Sequence, residues 1–319
     1  MAVHAVRAEI EALAVDMNSF LRDAAHTAHT AGVGRVGQVA EIAQVAQVAD
    51  VVGRGVAMAP SEPDAARAAV VIVGGHEGGA EVAVEPLVEQ GPLLRASSVG
   101  HSLEDAVQQA LDGTDLPVCV VPMTLGRDPQ LVADTARTLT WLTRGPMAGR
   151  VMLAEPFGNA TLLTGWLRVA VARVVDPFDA PDLAVLLTAR AANSFDNAEL
   201  FRIAHLVKSR GDLPWVEVAF RGGEPDVAEG VERCEQLGAR QVVVVPADFG
   251  PAVDVPMAGV IDGWPLLTPP EISGMLATRI AAALLKLSRG DDGIAAGLDA
   301  DHHHGHGGTA WRESDYDDD

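Results

Sequence analysis

Two segments, Val118-Cys119-Val120-Val121-Pro122 and Val242-Val243-Val244-Val245-Pro246, constrain the fold of this chain more than any other feature. Each is an uninterrupted apolar run closed by a proline, the pattern of a strand buried on both faces. A helix start lies twenty residues upstream of each proline, at Ser102 and at Asp226. The same unit therefore occurs twice, and the chain reads as an internal duplication. Around the first copy the text predicts strands at Ala69–Val73, Leu93–Ser98, Pro117–Val121 and Arg150–Ala154. Helical text runs to about Gln90, then at Leu103–Leu111, Leu131–Leu142 and Ala160–Arg173. Around the second it predicts strands at Leu183–Thr188, Trp215–Phe220, Gln241–Val245 and Ala258–Ile261. Its helices are Asn197–Ser209, one ending near Leu237, and Glu271–Leu287. Alternation of this kind argues an α/β fold with two parallel sheets of about four strands, flanked by helices.

Composition agrees. Hydrophobic residues make up 48% and aromatic ones only 4%, so the core is built of Val, Ala and Leu, as parallel sheets under helices require. No stretch reaches the roughly 18–20 apolar residues of a membrane span. The N-terminus has no basic region leading into an apolar run, so no export signal is expected. Cys119 and Cys234 lie in apolar segments with no CxxC partner. They read as buried thiols of a reducing compartment, the cytoplasm. The net charge of −21 argues against nucleic acid and anionic membranes as partners, and an anionic ligand would need a local cluster of arginines.

Four regions follow from these patterns. Residues 1–65 carry a helical stripe (Ile10, Leu13, Met17, Leu21) and then near-triplets of the Gln-Val-Ala type, and read as a helical or poorly ordered extension. Residues 66–178 and 179–289 are the two repeated halves. Residues 290–319, with nine Asp or Glu against one Arg, read as a disordered tail. Its His302, His303, His304 and His306 have the composition of an accessory site for divalent metal, or of a solvated low-complexity end.

Open parallel sheets bind ligands at the carboxyl ends of their strands. The residues following the predicted strands are His76 within Gly74-Gly75-His76-Glu77-Gly78-Gly79, then Gly100 and His101, then Thr124, Gly126, Arg127 and Asp128. In the second half the same places hold Arg190, Arg221 with Glu224, and Asp248. The glycine run alone is explained by a tight strand exit. His101 also reads as a helix start with Ser102 as N-cap. Two imidazoles on loops after neighbouring strands suit a divalent transition metal or a proton-accepting base. His205 reads as an ordinary helical histidine.

In order and spacing, the chain resembles the CbiX family of sirohydrochlorin chelatases in its long, duplicated form. The residues that carry the likeness are Val73-Gly74-Gly75-His76 and Leu187-Thr188-Ala189-Arg190 at the two opening strands. To these are added Asn197-Ala198-Glu199-Leu200, Val216 to Phe220, Glu224-Pro225 and Leu237-Gly238-Ala239-Arg240 before Val242 to Pro246. The likeness spans about residues 69–289 and implies two chelatase-like lobes. It also implies insertion of cobalt or ferrous iron into a tetrapyrrole, for cobalamin or sirohaem synthesis, by a metal chelatase of the lyase class. The divalent metal is then a substrate, and no organic cofactor is expected. His76 matches the family's first active-site histidine. The second family histidine, just after the third strand, is absent from Pro122-Met123-Thr124-Leu125-Gly126-Arg127-Asp128, and His101 is the replacement expected for metal binding and catalysis. Arg127, Arg190 and Arg221 are expected to bind substrate carboxylates.

A catalytically silent carrier of tetrapyrrole or metal is the competing reading, and a periplasmic-type metal-binding protein a third that lacks its export signal. The duplication supplies the second lobe that a single-unit relative would gain by dimerising, which leaves a homo-oligomer open.

Overall fold

The Val-rich runs form strands because β-branched side chains pack well on a pleated surface covered from both sides. The computed structural model describes residues 67–84, 91–143, 149–175, 182–209, 215–253 and 260–300. The chain divides into two units, 1–65 and 66–319, and the described residues all belong to the second. The expectations for residues 1–65, for helical text at 85–90 and for the histidines at 302–306 lie outside them.

The first sheet consists of β1 (Ala69–Gly74), β2 (Leu93–Ala96), β3 (Val118–Met123) and β4 (Val151–Leu153). The second consists of β5 (Leu183–Arg190), β6 (Trp215–Arg221), β7 (Gln241–Pro246) and β8 (Val260–Asp262). Both are entirely parallel, in the orders β2-β1-β3-β4 and β6-β5-β7-β8. Pro122 pairs with Val73 and Pro246 with Thr188, so the two prolines occupy corresponding places beside the opening strands. β1 and β3 are buried along their whole length.

The helices are α1 (His101–Gly113), α2 (Pro129–Leu142), α3 (Ala160–Val175), α4 (Ser194–Ser209), α5 (Val227–Gln236), α6 (Pro269–Leu287) and α7 (Ile294–Leu298). The described part of the first crossover, expected to be helical, contains only a 3₁₀ turn at Gly79–Glu81. α1 starts two residues before the predicted start. Gly100 takes φ +76°, which glycine adopts without steric cost, and the helix opens at His101. Ser102 is thus inside the helix, where its Oγ accepts from the Ser97 N–H at 3.1 Å rather than capping. Asp226, by contrast, forms a full capping box with Glu229.

The halves interlock. α3, which follows β4, packs against β7 and α4, and α6, which follows β8, packs against β3 and β4. Glu155 after β4 accepts from Arg279 at 3.0 Å and Lys286 at 2.8 Å, both on α6. Phe157 and Phe249, one from each half, meet edge to face at 5.3 Å. Residues 290–300, read from sequence as the start of a disordered tail, are ordered instead. The Asp292 carbonyl accepts from Leu153 N–H at 2.8 Å and covers the edge of β4, while α7 lays Ile294 into the first core beside Leu139 and Leu153. Replacing Ile294 by Ala is expected to cost about 2–4 kcal/mol, measured by denaturant unfolding, because the pocket closes only partly behind it.

Both cysteines are free and buried, and burial pushes their thiols up to about 12 and about 11. No helix among the described residues is long and apolar enough to cross a membrane.

Candidate functional site

In each sheet the chain leaves the first strand toward one side and returns to the other, so the crevice opens between β1 and β3 and between β5 and β7. The loops at these two crevices meet. Phe249 N–H donates to the Glu77 carbonyl at 3.1 Å, and Arg127 Nε donates to the Asp196 carbonyl at 3.4 Å.

His76 lies at the first crevice with one fifth of its side chain exposed. Its Nδ1 is 3.0 Å from Asp128 Oδ2, which also accepts from the His76 backbone N–H at 3.3 Å. The other oxygen of Asp128 accepts from Leu131 N–H at 2.9 Å and caps α2, with Pro129 in its first turn. A single carboxylate therefore starts a helix and aims an imidazole. Glycine at 75 makes room for it, since a Cβ there would run into that carboxylate. Asp196 of the second half adds a further oxygen 4.0 Å from His76 Nδ1 and is itself held by Asn193 at 2.6 Å.

The electrostatics follow from these contacts. Burial pulls the His76 pKa down, but the hydrogen bond and charge of Asp128, with the charge of Glu77, outweigh it and leave the value raised. Burial acts to raise Asp128, and the His76 ring and backbone donors outweigh it and lower it, so Asp128 is a carboxylate. A carboxylate only accepts, so Nδ1 carries the hydrogen of the neutral ring and Nε2 keeps its lone pair. That Nε2 is buried and without a partner among the described residues.

Glu77 is buried, and this burial raises its pKa. Its Oε2 accepts from the Thr124 hydroxyl and from Leu125 N–H at 2.9 Å, whereas Oε1 has no partner among the described residues. Asp196 is also raised, chiefly by burial.

The second half repeats the device with other side chains. Asp248, after β7, accepts the Arg190 backbone N–H at 2.6 Å, as Asp128 accepts that of His76. Where Asp128 holds an imidazole, however, Asp248 holds the Arg221 guanidinium at 2.5 Å. Arg221 is buried beneath Gly250 and engaged with this carboxylate, which departs from its expected role as a substrate contact.

The expected pairing of two histidines is not present. The His101 side chain is 99% exposed and bonds Glu104 at 3.0 Å, outside the His76 cluster. Among the described residues, no three His, Cys, Asp or Glu side chains are placed to hold a metal ion. Arg127 is buried at the meeting of the two halves, and Arg190 is exposed with its Nη2 close to Gly78. His205 lies on α4 and is exposed. Sequence reasoning missed Asp196 entirely and did not connect Asp128 with His76. The Asp-Pro pair at 128–129 is a helix-start signal, but nothing local marks its second duty.

The sequence model of the CbiX family matches residues 186–255. Over 69 residues the chain is 39% identical to a sirohydrochlorin cobaltochelatase of Priestia megaterium, covering 21% of this chain and 22% of that protein. Among solved structures, a multi-domain Deinococcus radiodurans protein, described as structurally similar to chelatases, aligns with a TM-score of 0.44 and 20% identity. The alignment covers 67% of this chain and 55% of that one. The family match contains Arg190, Asp196, Arg221 and Asp248 and stops short of the half that carries His76.

Proposed function

With residues 186–255 matching the model of the CbiX family, we propose that the chain is a metal chelatase that inserts cobalt or ferrous iron into sirohydrochlorin. One observation carries the reading: an imidazole fixed through Nδ1 by a carboxylate, with Nε2 unpartnered, where the two halves meet. Metal insertion displaces two pyrrole N–H protons, so the reaction needs a base beside the macrocycle. His76 Nε2 is that base. Asp128 keeps Nδ1 protonated, and stabilises the imidazolium that forms. The incoming metal, a substrate here, is first met by the same lone pair. That lone pair takes up one pyrrole proton once the metal has passed to the macrocycle, while the second proton leaves to solvent. Arg127 and Arg190 face the substrate carboxylates. Arg221 supports Asp248 instead, and His101 stays outside the cluster.

The carrier reading is favoured by two facts: Thr124 to Asp128 hold no histidine, and no three-ligand metal set exists among the described residues. Anaerobic incubation with sirohydrochlorin and divalent cobalt or iron separates the two by absorbance. Insertion yields the metallated spectrum. A spectral shift that metal leaves unchanged supports the carrier, and no spectral change at all overturns both.

A further inference from the structure

His76 has a second acidic neighbour, and it comes from the other half. Asp196 is 9% exposed, and its Oδ2 stands 4.0 Å from His76 Nδ1, the ring atom that Asp128 also approaches. Contacts from both halves fix it there. Asn193 Nδ2 donates to the same Oδ2 at 2.6 Å. Asn193 Oδ1 accepts from the Phe195 and Asp196 N–H groups at 2.9 and 3.0 Å, and so caps α4, which carries Asp196 in its first turn. From the first half, Arg127 Nε donates to the Asp196 carbonyl at 3.4 Å.

Asp196 does not serve its own strand end: its ion pair is with His76, while Asp248 holds the Arg190 backbone. Nor does it complete a metal set. Both carboxyl groups approach Nδ1 rather than the Nε2 lone pair, and no three ligating side chains among the described residues are placed to hold an ion. What remains is orientation. Turning the imidazole over about Cβ–Cγ puts a carbon where Nδ1 stands and carries the Nδ1–H dipole away from both carboxyl groups. Asp128 resists this through a hydrogen bond. Asp196 resists it through charge, since 4.0 Å lies outside hydrogen-bond reach.

We infer that Asp196 is a positioning residue for His76, through which the second half, whose own opening strand ends on Arg190, holds the first half's imidazole with Nδ1 inward and Nε2 free. This rests on the chelatase reading of His76 as the base, and adds the part that the other half takes in it.

The test uses the full chain and two readouts. Nitrogen NMR of metal-free protein labelled at histidine reads the His76 tautomer, its signals assigned by their loss in H76Q. Wild type is expected to hold the Nδ1–H form in large excess, and D196N to lower that excess about threefold to tenfold. Anaerobic insertion kinetics are expected to show kcat reduced by the same about threefold to tenfold in D196N, with KM within about twofold. That is less than the effect of an orienting group in direct contact with the ring. D196E returns the charge on a longer arm and is expected to recover part of the rate. N193S keeps a capping oxygen but shortens the reach to Asp196, and is expected to shift both readouts in the direction of D196N. These two variants carry the test should D196N not fold. E199Q removes a carboxylate paired with Arg202 on the same helix and is expected to change neither readout. An unchanged tautomer ratio and rate in D196N, an equal effect in E199Q, or a raised KM at constant kcat overturns the positioning role and leaves the chelatase reading standing. A tautomer ratio that depends on Asp196 in a chain that inserts no metal does the reverse.

Discussion

His76→Ala is expected to slow metal insertion about 10²–10⁴-fold, the usual contribution of a positioned general base. No other single change among the described residues should remove as much, because no second imidazole among them joins the cluster: His101 points into solvent beside Glu104. The same reasoning makes His101→Ala nearly silent, within about twofold of the wild-type rate. Stopped-flow absorbance under anaerobic conditions measures both. A His101→Ala variant as slow as His76→Ala would mean that the α1 end moves into the site when substrate binds, and the assignment to His76 alone would fail. Folding is not the issue in the first variant, since the His76 ring is partly exposed and leaves the strand beneath it untouched.

Asp128→Asn carries the second large effect, expected at about 10–100-fold in rate, the range found when the group that orients a histidine is changed. Its signature is a moved pH profile. The His76 pKa is raised above 6.5, so the wild-type rate should climb with pH along a limb above that value as Nε2 loses its proton. Removing the Asp128 charge takes away a cause of the rise, and the limb should shift to lower pH. Stability moves in a related way. The folded His76 holds its proton more tightly than the unfolded chain, so its contribution is full below pH 6.5 and fades as pH rises through the folded value. Asp128 is depressed below 3.8, so its contribution is present above that value and is lost on acidification. Asp128→Ala adds the loss of the α2 cap, about 0.5–2 kcal/mol. A pH limb that stays in place in Asp128→Asn would separate the ion pair from the chemistry.

What could be read from sequence followed the range of the interactions. The central strands β1, β3, β5 and β7 were legible because each is a short, largely apolar run whose burial needs no knowledge of distant partners. His76 was legible because it stands at the exit of such a run, among glycines. Asp128 was visible as a strand-end residue, but its contact with His76 spans 52 residues and leaves no local trace. Asp196, delivered from the other half, left none at all. The same blindness made Arg221 look available, because its carboxylate partner is 27 residues away. His101 failed for a different reason: the helix began earlier than its polar text suggested, and the first turn turned the ring outward. The tail was misjudged at its near end because five apolar-rich residues, too few for a periodic signal, happened to meet an uncovered strand edge.

The exchange of α3 and α6 between the halves means that neither sheet is finished by its own repeat. Expressed as separate fragments, each half would expose the strip of β3–β4 or of β7 that the other's helix shields. Repetition in the sequence therefore does not create two independent folding units. Calorimetry of residues 66–319 is expected to give a single transition, with matching calorimetric and van't Hoff enthalpies.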